Sequence, residues 1–220
     1  MPLSVASGSD GVVTDTALPL FGDDGRPGVP GVDESFATAH RVRLDEHSWV
    51  EHVPSWLTGA DSLFDELLQG GAWEQRRRWM YGERTVEPRL TAQYDDLATA
   101  PALLLEAAQA LTSHYGVTYD HLWVNLYRDN RDSTGWHGDG ASTRRRECVV
   151  PVLSLGASRR FLIRPADGGP SSTFRPLAGD LIVMGGRCQS DWRHCVPKQT
   201  SPTGPRISVN FAASSQGRAD

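Results

Sequence analysis

The sequence predicts an α+β protein that is mainly β, an antiparallel sandwich or barrel with helices covering one face of a sheet. Three observations carry this prediction. Apolar residues recur at helical spacing in two stretches of the first half, and the period changes to two after Gly116. Five short runs beyond that glycine read as strands. Turn signals separate them, among them Asp132-Ser133-Thr134-Gly135 and Asp167-Gly168-Gly169-Pro170.

The elements follow in order. The first forty residues hold 6 Gly and 4 Pro without a sustained period, so 1–30 reads as a flexible N-terminal segment. An extended piece follows at Ala39–Leu44. Asp61 reads as the cap of a helix carrying Leu63, Phe64, Leu67 and Leu68, stopped by Gly70-Gly71. Trp73–Tyr81 is aromatic and basic and reads as a strand with Arg on one side. A second helix has Pro101 at its first turn, Leu104, Ala108, Leu111 and Tyr115 on one face, and Gly116 at its end. The five strands are His121–Arg128, Glu147–Leu155, Arg159–Arg164, Asp180–Met184 and Arg206–Ala212.

Composition narrows the class. A chain of 220 residues is long enough for one domain with a real core. Hydrophobic residues are 39% and charged residues 22%, ordinary values for a globule. No run approaches the roughly 18 apolar residues of a membrane span. The start, MPLSVASGSDG, lacks the basic flank and apolar core of a secretory signal. Cys148, Cys188 and Cys195 form no CxxC, which argues against a zinc ribbon or disulfide scaffold. A cytoplasmic protein without membrane contact is the expectation. Charge is uneven: Arg128–Lys198 holds 11 Arg and one Lys against 7 Asp and Glu, locally +5, leaving −10 elsewhere. Such asymmetry marks a candidate face for a polyanion; a GC-rich coding sequence explains the abundance of Arg equally well. No GxGxxG or GxxxxGK[ST] phosphate loop occurs.

The chemistry concentrates around His137-Gly138-Asp139. In an extended chain residues i and i+2 share a face, so an imidazole and a carboxylate stand side by side. One more His on a neighbouring strand completes a 2-His-1-carboxylate set, which leaves open positions on Fe(II) for a cosubstrate and dioxygen. His194, after the run Asp180–Met184 and the Gly185-Gly186 turn, is the candidate; the other five histidines precede the motif in loops or at element ends. Two further strands carry polar stripes. Trp123, Asn125 and Tyr127 face away from Leu122, Val124 and Leu126, and Arg206, Ser208 and Asn210 face away from Ile207, Val209 and Phe211. Solvent would account for either stripe alone. Together they make a site for a small dicarboxylate, with Arg206 as its bidentate partner.

Several ordered motifs resemble the AlkB family of Fe(II)- and 2-oxoglutarate-dependent dioxygenases. They are Asn125-Leu126-Tyr127, His137-Gly138-Asp139, Leu153-Ser154-Leu155-Gly156, Gly179-Asp180, Asp191 to Lys198 (DWRHCVPK) and Pro205 to Phe211 (PRISVNF). More loosely, Pro88-Arg89-Leu90-Thr91-Ala92 is similar to a segment before the family's base pocket. The resemblance implies a double-stranded β-helix (jelly-roll) core with covering helices and an N-terminal lid. Residues 31–212 would then form one domain, with lid strands and supporting helices in 31–116, the catalytic core in 117–212 and a tail at 213–220. It also implies iron on His137, Asp139 and His194, and 2-oxoglutarate held by Asn125, Tyr127 and Arg206, with Ser208 and Asn210 beside them. The activity implied is oxidative demethylation of alkylated bases in DNA or RNA by a monomer, with dioxygen consumed and formaldehyde, succinate and CO2 released.

A base must leave its stack to be oxidised, so the substrate candidates are Tyr94, Trp79, Tyr81 and Arg159, with Arg76–Arg78 and Arg144–Arg146 for phosphates. Core packing and solvation are the ordinary roles of these side chains. Two positions depart from the family pattern. Ala212 stands where the family usually has a second Arg, and Gly140-Ala141-Ser142 stand where it has acidic residues. Other readings therefore remain: an oxygenase of a protein or small molecule, a non-catalytic jelly-roll binding module, and, more distantly, a zinc hydrolase. Cys195, beside His194, reads as buried packing.

Overall fold

The alternation that begins at His121 gives each strand two unlike faces, and the layers stack accordingly. The computed structural model of the chain describes residues 29–80, 83–139 and 147–214. Its strands are β1 (Gly31–Val32), β2 (His40–Arg43), β3 (Ser48–Val53), β4 (Leu57–Thr58), β5 (Arg77–Met80), β6 (Glu83–Val86), β7 (Leu90–Tyr94) and β8 (His121–Tyr127). After these come β9 (Thr134–His137), β10 (Cys148–Gly156), β11 (Phe161–Pro165), β12 (Ser172–Phe174), β13 (Leu181–Gly186), β14 (Trp192–Val196) and β15 (Arg206–Ala212). The helices are α1 (Ala60–Gly70), α2 (Ala102–Tyr115) and the single turn α3 (Cys188–Asp191).

A large antiparallel sheet runs β2-β3-β13-β10-β15-β8-β7, and a small one runs β12-β11-β14-β9. This is the expected jelly-roll, mainly β with few helices. One apolar core holds Leu122, Val124, Ile207, Val209 and Phe211 of the large sheet together with Leu63 and Leu67 of α1 and Leu104 and Leu111 of α2. The other holds Val150, Val152, Ile182, Met184, Phe161 and Ile163, contributed by strands of both sheets. The polar stripes of β8 and β15 are thereby kept off the first core.

The termini of α2 fall at the predicted residues. Pro101 caps its start, and Gly116 ends it at φ 67, donating its N–H to Thr112 O at 2.9 Å. The start of α1 differs from prediction. Its cap is Gly59 at φ 80, where a Cβ would meet Pro30 at 2.8 Å, and Asp61 lies inside the first turn. The Asp132–Gly135 turn is also shorter than expected, because Thr134 and Gly135 already belong to β9. Thr134 is buried there against the Tyr127 hydroxyl at 2.8 Å, which draws the chain into the sheet.

Candidate active site

Two paired strands bring the metal-ligand candidates together. His194 of β14 pairs directly with His137 at the end of β9. Asp139 follows two residues on, its N–H donating to the Gln189 side-chain oxygen at 2.8 Å. Asp139 Oδ1 stands 3.6 Å from the Nε2 atoms of both His137 and His194. One donor atom from each residue lies within 4.8 Å of the others. The proton assignment favours coordination. His137 Nδ1 donates to Gly135 O at 2.8 Å, which leaves Nε2 as the lone-pair nitrogen. Burial lowers the pKa of His194, opposed by the adjacent Asp139, while Phe161 stacks on its ring at 5.4 Å between centroids. Desolvation would raise the Asp139 carboxyl, yet the adjacent His194 and His137 overcome it and hold the group well below the usual carboxylate range. Asp139 Oδ2 and His194 Nδ1 are buried without a hydrogen-bond partner. Two imidazoles and an ionised carboxylate with an uncommitted oxygen fit a divalent metal.

Across the cavity, register aligns the polar stripes into rows. Tyr127 sits beside Arg206; Thr91, Asn125, Ser208 and Ser154 form the next row; Gln93, Trp123 and Asn210 the one after. Arg206 is buried, and its Nη2 donates to Ser154 Oγ at 2.9 Å. Its Nε and Nη1 have no partner. Burial lowers its pKa, partly offset by Tyr127, whose ring lies 5.4 Å from the guanidinium carbon. A buried cation with two vacant donors is a costly arrangement unless an anion completes it. Asn125 Oδ1 accepts from Arg89 Nε at 2.9 Å and Trp123 Nε1 at 3.0 Å, and its Nδ2 donates to Ser208 Oγ at 3.2 Å. Asn210 Nδ2 donates to Trp123 O at 2.8 Å. The three metal-ligand candidates and Asn125, Tyr127, Arg206, Ser208 and Asn210 all line one cavity of about 430 Å³.

The substrate candidates fare differently. Tyr94 belongs to the opposite face of β7, level with Leu122 and packed against the helix-covered core, because Thr91 and Gln93 take the cavity side. Arg159 is buried as a loop staple, donating to the carbonyls of Asp129 at 2.7 Å, Asp132 at 2.7 Å and Pro197 at 2.9 Å. It therefore has no free face for a substrate. Trp79 lies on β5, with its side chain outside the described residues, as are Tyr81 and Arg144–Arg146. Arg76 does line the cavity mouth, with its guanidinium 4.0 Å over the Trp123 ring. Sequence reasoning missed Arg89, whose signal was the PRLTA segment itself, and Gln189, for which no motif signal exists.

Against this geometry, the sequence model of the family described as "2OG-Fe(II) oxygenase superfamily" matches residues 58–217. The chain belongs to that superfamily. Its curated relatives put it with the AlkB homologues. It is 33% identical to "Alpha-ketoglutarate-dependent dioxygenase alkB homolog 3" of Bos taurus over 70% of this chain and 62% of that protein. It is 26% identical to "DNA oxidative demethylase ALKBH2" of Homo sapiens over 69% of this chain and 67% of that protein. The chain thus spans somewhat under two thirds of the bovine relative's length. Among solved structures, "The structure of OsALKBH1" superposes with TM-score 0.55 and 13% identity, covering 79% of this chain and 100% of that one. A prolyl hydroxylase from Trichoplax adhaerens superposes with TM-score 0.52 and 13% identity, covering 74% and 83%. Both confirm the fold. Fe(II) and 2-oxoglutarate are the cofactors of this superfamily, and the His137–Asp139–His194 cluster suits the metal.

Proposed function

We propose that this protein is an Fe(II)/2-oxoglutarate-dependent dioxygenase that oxidatively demethylates alkylated bases in DNA or RNA. The observation that carries the reading is the buried Arg206 guanidinium, with two vacant donors, in the wall of the same cavity as three convergent metal-ligand candidates. His137, Asp139 and His194 would hold the metal. Arg206 would bind the far carboxylate of the cosubstrate through its guanidinium, and the Tyr127 hydroxyl and the second Asn125 amide proton stand in the same rows. Val150, Val152 and Phe161 line the floor and exclude water from the reacting atoms. When bound, iron and 2-oxoglutarate supply dioxygen activation and oxidation of a substrate C–H bond. An N-methyl carbon oxidised there leaves as formaldehyde. The base as substrate is supported by the demethylase relative and by the aromatic and basic mouth formed by Trp123 and Arg76.

A second reading, oxidation of a peptide or metabolite, is favoured by one observation: Asp139 is the sole carboxylate among the described lining residues, and Gly140-Ala141-Ser142 bring no other. Incubation with iron, 2-oxoglutarate and methylated single- and double-stranded oligonucleotides decides between them. Formaldehyde release equal to succinate supports demethylation. Succinate formed only with peptide or metabolite panels rejects it.

A further inference from the structure

The three carbonyls that hold Arg159 belong to the segments carrying the two halves of the site. Arg159 stands on the link between β10 and β11, three residues beyond Gly156, whose backbone pairs with Arg206. It is fully buried and is not among the described residues that line the cavity, so it acts through its neighbours. Its Nη1 donates to Asp129 O, and its Nη2 donates to both Asp132 O and Pro197 O. Asp129 and Asp132 lie on the turn from Tyr127, the last residue of β8, to Thr134, the first of β9. Pro197 follows Val196, the last residue of β14. β9 and β14 pair at His194 with His137 and at Val196 with Thr134, and the register shifts between the two pairs. Such a bulge disrupts the ladder locally. The Arg159 fork ties the two strands just beyond their outer pair. The same guanidinium lies 5.5 Å from the Tyr127 ring, whose hydroxyl bonds Thr134 Oγ1 and whose ring also meets Arg206.

We propose that Arg159 is a positioning residue. It fixes the spacing between the His137–Asp139–His194 cluster and the wall made by Tyr127 and Arg206, and so couples metal binding to 2-oxoglutarate binding. This rests on the dioxygenase reading for the assignment of the cosubstrate to that wall. The guanidinium suits the task, because its donors radiate in one rigid plane and hold carbonyls from two segments at set angles. The Tyr127 ring is attracted to the same cation, so the cosubstrate wall and the ends of the metal-bearing strands share one anchor. A ligand that engages both sides of a cavity gains most when their spacing is already set. With the anchor gone, each side still binds its own partner, and the joint gain is lost.

The test uses the full chain under anaerobic conditions and compares Mn(II) affinity, by calorimetry, without and with saturating 2-oxoglutarate. In the wild type the cosubstrate tightens Mn(II) binding about tenfold or more. Arg159→Lys keeps the charge and loses the planar fork. There the tightening falls to within about twofold, while Mn(II) affinity without cosubstrate stays within about threefold of the wild type. Arg159→Gln takes its place if Arg159→Lys does not fold. Asn130→Ala loosens the same turn by removing the bond from Asn130 Nδ2 to Gln199 O, leaves the three carbonyls on Arg159, and keeps the tightening. A role in stability alone gives another pattern, in which the Arg159 variant loses Mn(II) affinity equally with and without cosubstrate. That pattern, full tightening in the Arg159 variant, or lost tightening in Asn130→Ala overturns the proposal. A wild type that binds no 2-oxoglutarate overturns the dioxygenase reading and the proposal together. Binding and tightening in the wild type that persist undiminished in the variant overturn the proposal alone.

Discussion

Arg206 is the residue whose environment is hardest to explain without an anion. The residue is 2% exposed, with Ser154 accepting from its Nη2 and Tyr127 as its ring neighbour. Replacing an unpaired buried cation by an apolar residue of similar volume is often neutral or stabilising. Arg206→Met is therefore expected to melt at or above the wild-type temperature without 2-oxoglutarate. Its affinity for 2-oxoglutarate should fall about a hundredfold, the loss of two charge-assisted hydrogen bonds, while metal affinity holds. Thermal melts and calorimetry check both halves. Gln189 acts one step further out: its oxygen fixes the Asp139 backbone and its amide contacts Met184 Sδ at 3.6 Å. Gln189→Ala should weaken Mn(II) binding about tenfold or more, as loss of an outer partner of a ligand does. Unchanged titrations would show that Asp139 positions itself.

Among the elements, the junction of β13 and α3 controls the site from behind. Gly186 ends β13 at φ 66, and a Cβ there would stand 1.9 Å from the His47 carbonyl oxygen, which accepts from Arg187 N at 3.0 Å. That turn launches α3, which carries Gln189. Gly186→Ala is expected to cost more than about 2 kcal/mol in urea denaturation and to weaken metal binding with it. The neighbouring elements also bury their thiols. Burial pushes Cys188 up to about 12 and Cys195 up to about 11 from an ordinary 9. The native state keeps these protons after the unfolded state has released them, so stability falls as pH rises from about 9 toward those values. A lower urea midpoint at pH 10 than at pH 8 is the expected result, with both thiols resisting alkylation in the folded protein at pH 8.

At the scale of the whole molecule, the site arises from two sheets facing each other, one bearing the metal-ligand candidates and the other the polar rows proposed for the cosubstrate. Much of this was legible in the sequence. Period-two alternation in β8 and β15 separated Asn125, Tyr127 and Arg206 from the helix-covered core with the right register, because both strands are long and one face of each is wholly apolar. β9 and β14 were not legible as strands. Thr134–His137 and Trp192–Val196 are short and mix polar with apolar residues, and they take their form from pairing, β9 with β14 across a bulge and β14 with β11. Tyr94 misled because an aromatic at the end of a strand gives no sign of its face; only pairing with Leu122 fixes it. Arg159 misled for a related reason, since three backbone carbonyls from distant loops meet it only in the folded chain. No described helix is long and apolar enough to cross a membrane. The most direct measurement is anaerobic titration of the full chain with Fe(II) and 2-oxoglutarate, followed by visible absorption. The expected result is a charge-transfer band that is absent in Asp139→Ala and needs far more 2-oxoglutarate in Arg206→Met. No band in the wild type, or an undiminished band in both variants, would contradict it.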